Sequence, residues 1–240
     1  MSVVVVIPAF DAERHVRSVL TRLARTPELA LARMVVVDDG SRDGTRREVV
    51  TAARDDARIE LIERAHNGGY GAAMKTGLRA AARFDPTLVA CVHADGQYSP
   101  EVLPALVAAL RGRCLDLLQG SRIAGGAALS GGMPRYKYLA NAVLNRLENR
   151  TLQLSMTDYH SGYLLYGPRA LQQVPFDALS DSFDFDLEVI ACARARGLVV
   201  GEAPIPTHYG DEISHLNPIS YGLRVLRVLW NYQRGRYDPA

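Results

Sequence analysis

The stretch Val92-His93-Ala94-Asp95-Gly96-Gln97-Tyr98 sets an imidazole, a carboxylate and a carboxamide side by side directly after an apolar run. A carboxylate is a hard oxygen ligand for Mg2+ or Mn2+. Such ions take only one or two protein carboxylates and complete their shell with substrate phosphates and water. Asp95 is the candidate ligand. If the segment is extended, side chains two apart share a side, so His93 and Gln97 join Asp95 there. A neutral imidazole or a carboxamide can ligate Mn2+ or hold a water beside it. A plain polar turn accounts for the same residues, and this stretch alone leaves both readings open.

Two further clusters have the same double character. Asp38-Asp39 precedes Gly40-Ser41: either a turn, or a carboxylate that accepts hydrogen bonds from a base or ribose. Asn67-Gly68-Gly69-Tyr70-Gly71 lacks the Gly-Lys-Ser/Thr ending of a phosphate-binding Walker loop and the spacing of a dinucleotide fingerprint. Its glycines allow close approach of a ligand, with the following helix N-terminus favouring a phosphate; tight packing alone would also require them.

These clusters need elements to hold them. Val3 to Ile7 is an apolar, β-branched run closed by Pro8, and Val16, Val19, Leu20 and Leu23 follow at helical spacing. The pattern predicts further strands at 34–37, 59–62 and 88–92. Helices are predicted through Val49 and Ala53, through Ala72 to Ala81, and from Pro100 with Ser99 as N-cap. A fifth strand is expected at 115–118, a helix at about 135–150 and a strand at 198–202. Apolar strands alternating with amphipathic helices imply an α/β, Rossmann-like, mostly parallel sheet flanked by helices, whose ligands bind at the carboxyl ends of the strands. The polar clusters fall at those ends. The expected organisation is a single fused domain, with a nucleotide-binding half over residues 1–125 and an acceptor-binding half over 126–240 that ends in an amphipathic helix.

The 240 residues are 48% hydrophobic and 22% charged, ample for a core, and the net charge of +2 without a Lys/Arg block argues against nucleic acid as a partner. Cys91, Cys114 and Cys192 lack metal or disulfide spacing and read as buried thiols of a reducing compartment. No apolar run is long enough to span a bilayer. The expected location is cytoplasmic, with peripheral binding to a membrane surface and a homodimer left open. The segment 219–230 mixes Leu223, Leu226 and Trp230 with Arg224 and Arg227, as a helix does on an anionic membrane or when packed on its own domain.

Together, Ile-Pro-Ala-Phe-Asp-Ala-Glu (7–13), Val-Val-Asp-Asp-Gly-Ser-Arg-Asp-Gly-Thr (36–45), Asn-Gly-Gly-Tyr-Gly-Ala-Ala-Met-Lys (67–75) and Ala-Asp-Gly-Gln (94–97) resemble the ordered motifs of family two GT-A glycosyltransferases. The likeness is to the dolichol-phosphate mannose synthase-like and polyprenyl-phosphate sugar transferases. It covers about the first 125 residues; Gly131 to Tyr138 and Asp158-Tyr159-His160-Ser161-Gly162-Tyr163 resemble the group's acceptor-side motifs more loosely. The resemblance implies inverting transfer from a GDP- or UDP-sugar. It places Pro8, Ala9, Glu13, Asp39, Gly69, Lys75 and Ala94 at the nucleotide. It makes Asp95 the metal carboxylate of an Asp-X-Asp motif, with Gln97 and His93 as further candidate ligands of Mg2+ or Mn2+. His93 departs from the motif, standing where its first Asp is found.

A diphosphate leaving group needs its developing charge stabilised, the duty expected of the metal and of Arg122. A hydroxyl acceptor needs a general base, for which Asp158 is the candidate; an ionised lipid phosphate needs only orientation. Arg135, Lys137 and His160 are the expected acceptor contacts. His208, Tyr209, Asp211, Glu212 and His215 form a polar stretch that can fold over such a site. Relatives of the lipid-phosphate type commonly carry Arg where Leu164 stands, so transfer to a soluble natural-product or saccharide hydroxyl is the alternative. A nucleotidyltransferase would carry a glycine- and base-rich loop in place of Pro8-Ala9-Phe10-Asp11. A non-catalytic nucleotide-sugar-binding protein is the alternative of another class.

Overall fold

The run ahead of Pro8 has no polar face to give to water, so it is stable only as a strand covered on both sides. In the computed structural model, which describes residues 2–26, 29–126, 135–206 and 218–239, this run is β1 (Val3–Ala9), with Val3 to Ile7 fully buried. The side chains of residues 135–138, 140, 218 and 219 lie outside the described set. The chain continues as α1 (Val16–Ala24), β2 (Leu31–Asp38), α2 (Thr45–Asp55), β3 (Ile59–Glu63), α3 (Tyr70–Ala82) and β4 (Leu88–Cys91). Then come α4 (Leu103–Gly112), β5 (Leu117–Ser121), α5 (Arg135–Leu152), β6 (Leu164–Tyr166), α6 (Pro168–Gln173), α7 (Phe185–Ala195), β7 (Val200–Pro204) and α8 (Pro218–Gln233).

The seven strands form one sheet in the order β3-β2-β1-β4-β6-β5-β7. Every pairing is parallel except those of β6, which runs antiparallel between β4 and β5. The insertion of β6 binds the two halves of the chain into one sheet. Side-chain alternation divides the core between the two faces: Val3, Val5 and Ile7 pack with α1 and α4, and Val4 and Val6 with α3 and α7.

Several expectations are corrected. The three-residue β6 and the helices α6 and α7 were not anticipated, because β6 is too short to show a period. Pro100 opens a single 3-10 turn, Pro100–Val102, before α4, and Ser99 makes no capping bond. Cys114 is exposed in the turn after α4 at φ 50°. Leu164 is fully buried in β6 within the apolar core, so the departure from Arg at this position leaves no gap on the surface.

Candidate active site

Parallel strands deliver their following loops to one rim. Here that rim carries the segments after β1, β2, β4 and β5, and the antiparallel β6 brings 158–163 to the same edge. On the first half of the rim the polar side chains bond to each other and to backbone. Asp38 accepts the Ser41 N–H at 2.9 Å, the turn geometry open to it from sequence. The buried Asp39 accepts N–H groups of Gly68 (3.1 Å) and Gly69 (2.9 Å) and pairs with Arg64 at 2.8 Å. Its own N–H donates to the Ala9 carbonyl, next to Pro8 on β1. Glu13 accepts from Gly44 N–H at 3.0 Å and from Arg47 at 2.5 Å, clamping the first loop to the second.

The glycine segment is turned inward. A Cβ on Gly69 would sit 2.5 Å from the Asp181 carbonyl, one on Gly71 would collide with the Ser180 carbonyl, and Ala72 N–H donates to Asp181. The N-terminus of α3 is therefore capped by the 180–182 backbone, which corrects the expectation of an open phosphate site there. The glycines permit chain-to-chain packing. Lys75 is corrected likewise: it is buried, and its ammonium donates to the Leu179 carbonyl at 2.6 Å and pairs with Asp181 at 2.8 Å.

Residues 92–98 leave the sheet as a turn, so the period-two argument for His93, Asp95 and Gln97 does not hold. The actual link is local: Asp95 Oδ1 accepts the Gln97 N–H at 3.0 Å across Gly96, while Oδ2 lies 4.0 Å from His93 Nδ1. Ala94 is buried; the Asp95 side chain is 41% exposed. Burial holds the His93 imidazole below its ordinary pKa, with Asp95 opposing, so at neutral pH the ring is uncharged and keeps a lone pair. Its Nε2 is buried against the Gly162 backbone, where any Cβ would collide with it. These residues fit a divalent ion. A half-exposed carboxylate and a neutral ring face each other, and among the described residues no cluster of three or more His, Cys, Asp or Glu could hold a metal unaided, so substrate oxygens would complete the shell.

Across the rim the polar groups are buried. Arg122, at the end of β5, makes a bidentate pair with the fully buried Asp158, at 2.6 and 2.9 Å, and its N–H donates to the same carboxylate. Burial pushes the Asp158 carboxyl up, but the Arg122 charge together with the hydrogen bonds made to the carboxylate holds it below the usual range. This corrects the assignment of Asp158 as general base: a carboxylate so committed is a weak proton acceptor, and its geometry suits positioning of Arg122. His160 is buried as well, with Nδ1 at 2.8 Å from the Tyr221 hydroxyl of α8 and Nε2 at 3.1 Å from Glu148 of α5. Arg135 and Lys137 lie in the first turn of α5 with side chains outside the described residues, and 207–217, with His208 and His215, lies outside them too.

Three residues escaped the sequence reading. Glu202 of β7 accepts the Thr157 N–H at 2.7 Å and fixes the backbone at Asp158. Glu148 is fully buried behind His160. Asp186, in the first turn of α7, accepts from the Tyr70 hydroxyl at 2.8 Å, while its Oδ1 is buried without a partner. Burial pushes its pKa up to about 7. Its only sequence signal was the acidic, aromatic composition of 181–188.

The model of the family described as Glycosyl transferase family 2 matches residues 4–174. The undecaprenyl-phosphate mannosyltransferase of Micrococcus luteus is 29% identical over 85% of this chain and 83% of its own. The dolichol-phosphate mannosyltransferase of Saccharomyces cerevisiae is 28% identical over 96% and 88%. In fold, the chain is similar to glucosyl-3-phosphoglycerate synthase of Mycobacterium tuberculosis in complex with Mn2+, uridine diphosphate and phosphoglyceric acid. That likeness has a TM-score of 0.70 at 15% identity and covers 100% of this chain and 80% of the other.

Proposed function

Since the chain belongs to glycosyl transferase family 2 and is a GT-A glycosyltransferase, we propose that it moves a sugar from a nucleotide-sugar donor to a polyprenyl phosphate, with a divalent ion at Asp95. The observation that carries the acceptor class is the buried Arg122–Asp158 pair. With its candidate base committed to a guanidinium, the site suits an acceptor that arrives already ionised. The relatives named for undecaprenyl and dolichol phosphate agree with this reading.

In the proposed reaction a phosphate oxygen of the acceptor attacks the anomeric carbon as the bond from that carbon to the nucleoside diphosphate breaks, with inversion. Mg2+ or Mn2+, when bound, neutralises charge on the leaving diphosphate. Asp95 would hold it, with Gln97 and His93 beside it. Asp158 would keep Arg122 extended at the rim, and the buried walls would limit competing hydrolysis.

A panel of GDP- and UDP-sugars, each with and without a short polyprenyl phosphate, tests the proposal by release of nucleoside diphosphate. Expected are turnover dependent on the lipid phosphate, loss of activity in EDTA and loss of metal-enhanced nucleotide binding in Asp95→Ala. Turnover with saccharide hydroxyls and none with polyprenyl phosphate would overturn the acceptor. Nucleotide-sugar binding without turnover on any acceptor would support a non-catalytic binder.

A further inference from the structure

Residues 155–161 belong to no helix or strand, so side chains from elsewhere have to set the backbone that carries Asp158. Several come from one ridge of α5. Asn145, Glu148 and Asn149 stand three and four positions apart, hence on one face of the helix. Asn145 donates to the Thr157 carbonyl. Asn149 donates to the Met156 carbonyl at 2.7 Å and accepts from the Met156 N–H and the Tyr159 hydroxyl, each at 2.8 Å. The remaining residue of the ridge is a carboxylate. Glu148 is fully buried, and its Oε1 lies 3.1 Å from His160 Nε2, an ion-pair distance without a well-formed hydrogen bond; Oε2 has no hydrogen-bond partner. On the other side of the ring, the Tyr221 hydroxyl of α8 lies 2.8 Å from Nδ1. A phenol that donates there leaves the ring proton on Nε2, facing the carboxylate. The imidazole is thus held from both α5 and α8. Its own backbone N–H donates to Asp158 Oδ1 at 3.0 Å, the oxygen that also receives Arg122 Nη2 at 2.9 Å.

We infer that Glu148 and His160 are positioning residues of the transfer reaction: through the His160 backbone they hold Asp158, and through Asp158 the fork of Arg122. Stability alone does not call for these residue types. A buried ionic pair exchanged for apolar residues of similar volume often costs nothing or gains stability. Apolar packing, however, is non-directional and does not fix the rotation of a ring, whereas polar partners on both ring nitrogens do. A bidentate guanidinium pair demands a defined geometry, so a displacement at residue 160 reaches Arg122. The inference rests on the proposed transfer for its purpose; the chain of contacts from Glu148 to Arg122 stands in the protein by itself.

The test compares Glu148→Leu, the apolar pair Glu148→Leu with His160→Phe, and Glu148→Gln, whose amide oxygen can still accept from Nε2. One readout needs no acceptor: the Arg122 Nε–H resonance, identified by its loss in Arg122→Lys. In the apolar pair it should shift and exchange with water about tenfold faster or more, and in Glu148→Gln it should return towards its wild-type position. The other readout is kinetic, with the nucleotide sugar that the donor panel selects and a short polyprenyl phosphate. The apolar pair should lose kcat about tenfold or more with little change in the donor KM. Glu148→Gln should keep most of the wild-type kcat. In an Arg122→Lys background the apolar pair should cost little more, because the fork is already gone. Melting points separate folding from positioning: the apolar pair should melt no lower than Glu148→Leu, which leaves the imidazole without its carboxylate. An unchanged resonance and wild-type kcat in the apolar pair overturn the inference, as does a loss that adds in full to that of Arg122→Lys. If the wild type makes no product with polyprenyl phosphate, the acceptor assignment fails, and the resonance still decides between the outcomes for Glu148 and His160.

Discussion

The two sides of the rim solve opposite problems. Around β1, β2 and the start of α3, carboxylates accept backbone amides: Asp38 from Ser41, Asp39 from Gly68 and Gly69, Glu13 from Gly44. Across the rim, buried side chains face one another, as Arg122 does Asp158 and His160 does Glu148. Among the described residues, the buried side-chain polar atoms without a hydrogen-bond partner all lie between His93 and Asp186, and none lies in the earlier loops. The first side is tied mainly through backbone amides; the second includes the buried Arg122–Asp158 pair, whose members cannot be removed singly.

That contrast can be broken by mutation, most severely at Arg122. Arg122→Met leaves the fully buried Asp158 charge without its guanidinium and should destabilise the protein by about 3–5 kcal/mol in urea unfolding. The sign with pH follows from the lowered pKa. The contribution of Asp158 is present above the ordinary carboxylate value and lost as pH falls through its depressed folded-state value, so the variant should lose its disadvantage in strong acid. A loss under about 1 kcal/mol at pH 7 would put this pair on a level with surface ion pairs.

Asp186→Asn should act in the opposite direction. Its folded-state pKa of about 7 lies above the unfolded value, so the wild type loses stability as pH rises from about 4 to 7. Asparagine removes that titration, and thermal melts at pH 8 should show a gain of up to about 4 kcal/mol that shrinks as pH is lowered. A pH-independent effect would show that burial is not what raises this carboxyl.

Gly71→Ala sharpens the packing side of the comparison. Its Cβ must displace the Ser180 backbone, at a cost of about 1–3 kcal/mol, whereas Gly112→Ala meets nothing within 4 Å and should be neutral or slightly stabilising. Equal melting points for the two would show that 180–182 yields easily. Smallest of all, Arg47→Ala at the start of α2 should leave the urea unfolding midpoint unchanged, because Glu13 retains the Gly44 amide.

Much of the fold could be read directly. The valine run of β1, the apolar strands after it and the amphipathic α1 to α4 follow from periodicity, and the carboxyl-end rule put Asp39 and Asp95 on one edge. The site was legible as composition more than as geometry. His93, Asp95 and Gln97 were correctly gathered in one loop, but the extended alternation assigned to them gave way to a turn that Gly96 and the Asp95–Gln97 bond impose. Lys75 and Gly69 were visible as residues of interest, while the segment that covers them, 179–182, lies over a hundred positions away in the case of Lys75.

The sequence by itself determined what local chemistry can determine: strand and helix periods, turns with their glycines, and which side chains can donate, accept or carry charge. The tertiary structure decided which charges meet. Asp158 reads as a candidate base until Arg122 is found on it, and Asp186 reads as composition until burial lifts its pKa and Tyr70 is found at its oxygen. The physical reason is that hydrogen-bond capacity belongs to the residue, whereas desolvation and pairing belong to its surroundings, which form only when distant parts of the chain pack together.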